Sequence, residues 1–391
     1  MNSKLKICFV TGSRAEYGLL QPLMNLVSGD DEFIFQLIAT GMHLSPEFGL
    51  TYKQIEADGF FINEKVEMLL SGDSDTAITK STGLGLIGMA DAFQRLDPDW
   101  IILLGDRFET FAAAIAAHLA KIPIAHLHGG ELTEGATDDA LRHSISKLSF
   151  LHFASTEEYR ARIIQLGEHP ERVYNVGAIG LDAISKIELI DREQLGDFVK
   201  LDLSKPTILV TYHPVTLDHH SARNQIESIL NAINRCRDLQ VIFTLPNADA
   251  NGRVIIEKIN TFVSNHPENA RVFTSLGSRR YYSLLQFVVA VVGNSSSGII
   301  EVPEFDIPTI NIGDRQKGRV KASSVIDVDA DEEKVYSLLE SITLDKFKHH
   351  FLKKDNPYHN DGTSSLIVKF IKKWGRISSI KKAFYDQKST I

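Results

Sequence analysis

The stretch Trp100-Ile101-Ile102-Leu103-Leu104-Gly105-Asp106-Arg107 decides the fold. Five consecutive apolar residues are too few for a helix and read as a strand buried on both faces, closed by a glycine turn. An amphipathic run follows at 108–121, then an apolar run at 122–127, then another helical pattern at 138–148. Strand, helix, strand, helix is the order of βα units on a parallel sheet. Towards the N-terminus the alternation continues, with strand patterns at 7–11 and 33–40 and helical ones at 17–27 and 48–58. Forward, it restarts after Pro206, with strand patterns at 207–212, 240–245, 271–274 and 287–292 and helical ones at 222–236, 252–265, 278–286 and 297–303. The expected fold class is therefore α/β, with two Rossmann-like domains whose parallel sheets face a cleft. Residues 177–202, with Gly177, Gly180 and Gly196, read as the connection, and the hinge is expected near 178–186.

Composition agrees with two ordinary cores. The chain has 391 residues, 43% hydrophobic and 24% charged, which argues against disorder and fibrous repeats. A formal net charge of −8 disfavours broad nucleic-acid binding, so an anionic ligand must find a local site. Two cysteines, Cys8 and Cys236, make neither a disulfide framework nor a spaced metal set, and a reducing cytoplasm is the expected location. No secretion signal is read at the N-terminus, and the longest apolar stretch, 284–292, is about half the ~18 residues of a membrane span. The lysine-rich tail from Ser364 carries Ile367, Phe370, Trp374 and Ile377 at helical spacing. It could touch a membrane, but a stripe packed on the body of the protein is the expected reading.

Open α/β sheets bind ligands at the carboxyl ends of their strands, so the informative residues are those that follow strands. Gly83-Leu84-Gly85-Leu86-Ile87-Gly88 fits the spacing of a dinucleotide fingerprint, yet the polar segment before it is no strand. It reads as a close helix-packing surface. A better anion cradle is Gly293-Asn294-Ser295-Ser296-Ser297-Gly298, preceded by a buried strand and followed by a helix start. Backbone N–H groups, the helix dipole and serine hydroxyls there can hold a diphosphate without a cation, and Glu301, one turn on, suits ribose hydroxyls. An unliganded serine N-cap is the plain alternative.

Gly105-Asp106-Arg107 brings a carboxylate and a guanidinium to one sheet edge, and the next strand ends in His126-Leu127-His128-Gly129-Gly130-Glu131. Asp138, Asp139, Arg142 and His143 follow, with Asp138 and Arg142 four apart on one helical face. Singly these could be a helix cap and a helix ion pair; together they point to a polar substrate. His126 and His128 alternate and would face the same way, which raises a metal reading, but the surrounding pattern carries no zinc spacing and no metal is expected. His213-Pro214 follows a strand of the second half and offers a phosphate partner or acid. Arg14 and Arg315 leave strand ends in Gly12-Ser13-Arg14 and Gly313-Asp314-Arg315.

At these residues the chain resembles the hydrolysing UDP-N-acetylglucosamine 2-epimerases of bacterial sialic-acid biosynthesis. The matching segments run in order through nearly the whole chain: Thr11-Gly12-Ser13-Arg14-Ala15-Glu16-Tyr17-Gly18, Thr40-Gly41-Met42-His43, Leu104-Gly105-Asp106-Arg107, His126 to Glu131, His213-Pro214, Gly293 to Gly298, and Asn311 to Arg319. The resemblance implies the glycosyltransferase-B architecture, with a sugar and catalytic domain at 1–180, a UDP-binding domain at 181–365 and a C-terminal helix at 366–391 returning to the first. It implies that Arg14, His213, Ser295, Ser296, Glu301 and Arg315 bind UDP and that Asp106, Glu131, Asp138 and Arg142 surround the sugar. His43, Arg107 and Asn247 join the expected substrate-binding set, and Asp106, Glu131, Asp138 and His213 the catalytic one. At His128 the non-hydrolysing relatives and some hydrolysing ones carry glutamate, so a catalytic role there does not carry over and Glu131 or Asp138 must carry more of the proton chemistry.

The expected reaction converts UDP-N-acetylglucosamine to N-acetylmannosamine and UDP through a 2-acetamidoglucal, without a cofactor. Departure of UDP makes the C2 proton removable, and arginines with a helix N-terminus stabilise the leaving group. The same chemistry on UDP-2,4-diacetamido-2,4,6-trideoxyglucose is the alternative; a glycosyltransferase or a non-catalytic UDP-sugar sensor would share the nucleotide site. A homo-oligomer, dimer or tetramer, is what the resemblance implies.

Overall fold

The computed structural model describes residues 4–72, 74–133, 137–184, 187–214, 222–246, 252–343 and 355–387. They form two compact units, the first Met1–Glu131, Asp138–Ser185 and Tyr358–Ile391, the second Leu132–Thr137 and Lys186–Pro357. The chain re-enters the first unit at Tyr358, earlier than the expected 366. Tyr358 explains the difference: it is fully buried, its hydroxyl lies 2.8 Å from that of Tyr159, and its carbonyl accepts the Ala178 N–H.

In the first unit, β1 (Leu5–Thr11), β2 (Phe33–Thr40), β3 (Glu64–Val66), β4 (Trp100–Leu104), β5 (Ile124–Leu127), β6 (Leu151–Ala154) and β7 (Val173–Asn175) form one sheet in the order β3-β2-β1-β4-β5-β6-β7. Every pairing is parallel. Alternate residues of β1 serve different cores: Ile7 and Phe9 join one apolar cluster, Cys8 and Val10 the other, as a strand covered on both faces requires. In the second unit, β8 (Thr207–Thr211), β9 (Gln240–Thr244), β10 (Ala270–Phe273), β11 (Ala290–Gly293), β12 (Thr309–Ile312) and β13 (Val325–Val328) pair in parallel in the order β10-β9-β8-β11-β12-β13. Strand order reverses between β1 and β4 in the first sheet and between β8 and β11 in the second. Those two points, inside each unit, are where an open α/β sheet leaves a crevice for a ligand.

The glycine decoy lies inside one helix, Asp75–Leu96. A Cβ on Gly85 would meet Met68 and Ala112, and one on Gly88 would meet Val66, so these glycines permit close packing, as expected. The C-terminal helix is Thr363–Trp374, shorter than expected, and ends at Gly375. Asp182 caps it from below, accepting the N–H groups of Thr363 at 3.0 Å and Ser364 at 2.5 Å. Ile367 and Ile371 are fully buried in the first unit's core, each worth roughly 1.5–3 kcal/mol of transfer free energy, and Phe370 stacks on Tyr174 at 3.7 Å. Beyond that helix the chain is irregular but anchored. The Lys382 ammonium reaches Lys147 O at 2.7 Å, Ser149 O at 2.5 Å and the buried Glu168 carboxylate at 2.7 Å. Among the described residues no helix is long and apolar enough to cross a membrane.

Candidate active site

The first site grows from the turn after β1. Thr11 and Gly12 end the strand, Ser13 caps the helix Arg14–Ser28 by accepting the Glu16 N–H at 3.3 Å, and Arg14 opens that helix. Glu16 folds back beneath the turn, its Oε2 accepting the Gly12 N–H at 2.6 Å. Its other oxygen, Oε1, is buried without a hydrogen-bond partner among the described residues. Burial, reinforced by nearby Glu109, pushes the Glu16 carboxyl up to about 7, against the opposing pull of Gly12 and Arg107. His43, expected on the substrate, is instead fully buried between Thr11 Oγ1 at 3.1 Å and Thr51 Oγ1 at 2.8 Å. Burial drives it down to about 4, partly offset by the Ser13 carbonyl, so it is a neutral brace for the turn. Arg107 likewise turns inward: Nε and Nη2 fork onto the two Glu109 oxygens at 3.1 and 3.2 Å. Glu109 was not singled out in the sequence, and its side chain fills the space beside Gly12 and Gly41.

Across the same switch point, Asp106 leaves β4 and pairs with Arg142 Nη2. Arg142 is 1% exposed, and its Nη1 also donates to the Glu131 carbonyl at 2.8 Å and lies 3.5 Å from Asp139. One buried guanidinium thus joins the loop after β4, the loop after β5 and the helix Asp138–Leu148. That arrangement makes Arg142 a brace for the acids around it rather than an open substrate contact. Asp106 keeps 19% side-chain exposure, whereas Glu131 keeps 2%.

Two donors among the described residues reach one carboxylate oxygen of Glu131. His128 Nδ1 lies 2.8 Å from Glu131 Oε1, and Ser155 Oγ, another residue the sequence did not reveal, donates to the same oxygen at 2.7 Å. His128 Nε2 accepts the Ile179 N–H at 3.3 Å, which fixes the tautomer with the proton on Nδ1. The expected pairing of His126 and His128 on one face fails because β5 stops at Leu127 and His128 turns to φ +63°. His126 is fully buried, with Nε2 donating to Gly105 O at 2.7 Å, and burial lowers it to about 3. It supports the turn that presents Asp106. Among the described residues no group of three or more His, Cys, Asp or Glu side chains is arranged to hold a metal ion.

The second site lies where β8 and β11 diverge. Gly293 has φ +136°, and a Cβ there would collide with the Thr211 carbonyl, so only glycine lets β11 leave the sheet this close to β8. The expected helix is short: Ser297–Ile300 only, followed by a 3-10 turn at Val302–Phe305. Pro303 explains the break, since it lacks an N–H to continue the ladder. Glu301 therefore stands at the end of this helical turn, buried, rather than one turn into a longer helix. Gly298 N–H donates to Ser295 O, and Ile299 and Ile300 both donate to Ser296 O, so the anion donors narrow to the amides and hydroxyls of Ser295 and Ser296. The contribution of a long helix dipole is absent. His213, buried after β8, and Arg315, after β12, follow the two strands that flank β11 in this sheet. Arg315 Nη1 donates to the Asn294 carbonyl at 3.1 Å. Asp138, half-buried, opens its helix in the first unit. Asn247 lies outside the described residues.

Comparison with known proteins identifies the family and the fold. Residues 26–372 match the sequence profile of the family described as UDP-N-acetylglucosamine 2-epimerase. A GDP/UDP-N,N'-diacetylbacillosamine 2-epimerase (hydrolyzing) of Campylobacter jejuni is 43% identical over 340 residues, 87% of this chain and 88% of that protein. Polysialic acid biosynthesis protein P7 of Escherichia coli is 37% identical, with 97% of each chain covered. The fold matches the crystal structure of UDP-GlcNAc 2-epimerase from Neisseria meningitidis bound to UDP-GlcNAc, with TM-score 0.80, 20% identity, 94% of this chain and 100% of that one.

Proposed function

The chain belongs to the UDP-N-acetylglucosamine 2-epimerase family, and on that premise we propose that it is a hydrolysing 2-epimerase of a UDP-linked 2-acetamido sugar. The observation that carries the reading is Arg142, which gathers Asp106 and the Glu131 loop at the switch point of the first sheet. In this reading His213, Ser295, Ser296 and Arg315 of the second unit take the UDP diphosphate, Glu301 the ribose, and Arg14 adds a cation. As the C1–O bond breaks, its electron pair leaves with UDP, and these donors stabilise the growing charge. Asp106, the more exposed carboxylate, takes the C2 proton as C1 becomes electron-deficient, and a 2-acetamidoglucal forms. Water then adds its hydroxyl at C1 while C2 receives a proton on the opposite face. Glu131, held by His128 and Ser155, and Asp138 are the groups assigned to that second proton transfer and to the water.

Two substrates fit this chemistry. The 43% identical Campylobacter relative, named for the GDP- or UDP-linked sugar, and a 36% identical Legionella pneumophila relative named for the UDP-linked one support UDP-N,N'-diacetylbacillosamine, with 2,4-diacetamido-2,4,6-trideoxymannose and UDP as products. The family profile and the E. coli polysialic-acid relative support the second reading, UDP-N-acetylglucosamine to N-acetylmannosamine and UDP. Steady-state UDP release with each sugar decides between them: kcat/KM is expected to be about tenfold or more higher for the diacetamido sugar, since a polar pocket built for a second amide discriminates against its absence. The opposite ranking reverses the choice, and no UDP release from either removes the hydrolytic reading.

A further inference from the structure

Among the described residues at the second switch point, Asn294 makes five hydrogen bonds. Its side chain is fully buried and reads the backbone of His213 as a strand would. Oδ1 accepts the His213 N–H at 2.7 Å and Nδ2 donates to the His213 carbonyl at 2.8 Å. Its own N–H donates to Thr211 O at 3.1 Å. Its own carbonyl accepts twice, from the buried Gln316 Nε2 at 2.8 Å and from Arg315 Nη1 at 3.1 Å. One residue therefore ties together the ends of β8, β11 and β12.

Only a carboxamide can do this. Leucine has neither group, and aspartate accepts but cannot donate to the His213 carbonyl. Aspartate would also place a negative charge beside the donors that the proposed function directs at a diphosphate. We propose that Asn294 is the positioning residue of the diphosphate subsite, holding the His213 backbone in fixed register with Arg315 and the Ser295-Ser296 turn. Gln316 completes the clamp from beneath. This assignment rests on the functional reading above.

The test is a double-mutant cycle on the full chain, with UDP affinity by titration calorimetry and thermal unfolding as the fold control. Asn294→Ala and His213→Ala are each expected to weaken UDP by about tenfold to a hundredfold, the scale of a displaced binding group. If Asn294 acts through His213, the double variant binds within about twofold of His213→Ala alone, because coupled residues are not additive. Additive losses would overturn the assignment. Asn294→Asp keeps the shape and the acceptor, so it serves where alanine fails to fold. It is expected to weaken UDP by about tenfold. UDP binding by Asn294→Asp equal to that of the wild type also overturns the assignment. A wild type that binds no UDP overturns the functional reading and this assignment together, whereas a wild type that binds with additive losses overturns only the role of Asn294.

Discussion

His128 donates from Nδ1 to Glu131 Oε1 across 2.8 Å while its Nε2 accepts the Ile179 N–H, so a histidine at φ +63° holds a carboxylate with a defined tautomer. Replacing His128 by alanine removes one donor to Glu131 Oε1 and leaves Ser155 Oγ on the same oxygen. The expected result is a fall in kcat of about tenfold to a hundredfold with KM changed far less, as for a group that orients proton-transfer machinery. Equal losses in binding and turnover would mean that His128 shapes the substrate pocket instead.

Asp106 is assigned as the base, and Arg142 as its buried partner. Asp106→Asn should lower kcat by about 10²–10⁴. It also leaves a guanidinium with 1% exposure facing a neutral amide, so unfolding free energy should drop by roughly 1–3 kcal/mol, less than for a fully buried pair because Asp106 keeps some contact with water. Single-turnover rates and urea unfolding measure the two effects separately. Full activity in this variant would assign the base to another carboxylate.

Glu16 links stability to pH. Its folded value of about 7 stands above its ordinary 4.5, because burial and Glu109 disfavour the charge. A raised carboxyl contributes stability that is complete below the unfolded value and lost as pH rises through the folded one. From about pH 5 to about pH 8 the wild type should therefore lose roughly 2–3 kcal/mol relative to Glu16→Gln, which cannot ionise. Parallel pH profiles for the two proteins would show that the carboxyl is ionised throughout.

The tail is anchored through charge. Glu168 is fully buried; burial would raise it, but bonds from His152, Lys147 and Lys382 outweigh that and hold it down at about 2. Lys382, pushed down to about 8 by burial against the pull of Glu168, is the tail's contribution. Glu168→Gln strips the common partner from all three groups and should cost roughly 3–5 kcal/mol, whereas Lys382→Ala, which leaves Lys147 and His152 in place, should cost about 1–3. Denaturant midpoints compare them. A reversed order would mean that the tail, rather than the carboxylate, is the keystone.

Much of this was legible before the structure, and the exceptions have physical causes. The run 100–107 announced a buried strand and the turn that ends it because apolar length and glycine are local signals. The same holds for Gly293 to Ser297, although Pro303 cuts the following helix to one turn. Glu109 stayed hidden: it lies in an alanine-rich helix, Phe108–Leu119, where a glutamate reads as a solvated residue. Only Arg107 two residues earlier, and the glycines at 12 and 41 that make room for it, give it a partner. Ser155 and the Asp106–Arg142 pair depend on contacts between distant segments, which periodicity does not encode. His43 was expected on the substrate from the family resemblance of Thr40-Gly41-Met42-His43, and Arg107 from its place beside Asp106 at a strand end. Burial turned both inward.

UDP departure and loss of the C2 proton are proposed to belong to one reaction. That proposal is tested most directly by proton and phosphorus NMR of the purified chain in deuterated water, with UDP-N,N'-diacetylbacillosamine and, separately, UDP-N-acetylglucosamine. The account predicts free UDP together with a manno-configured free sugar carrying deuterium at C2. A UDP-linked manno sugar without UDP release, or UDP release with the C2 proton retained, would contradict it.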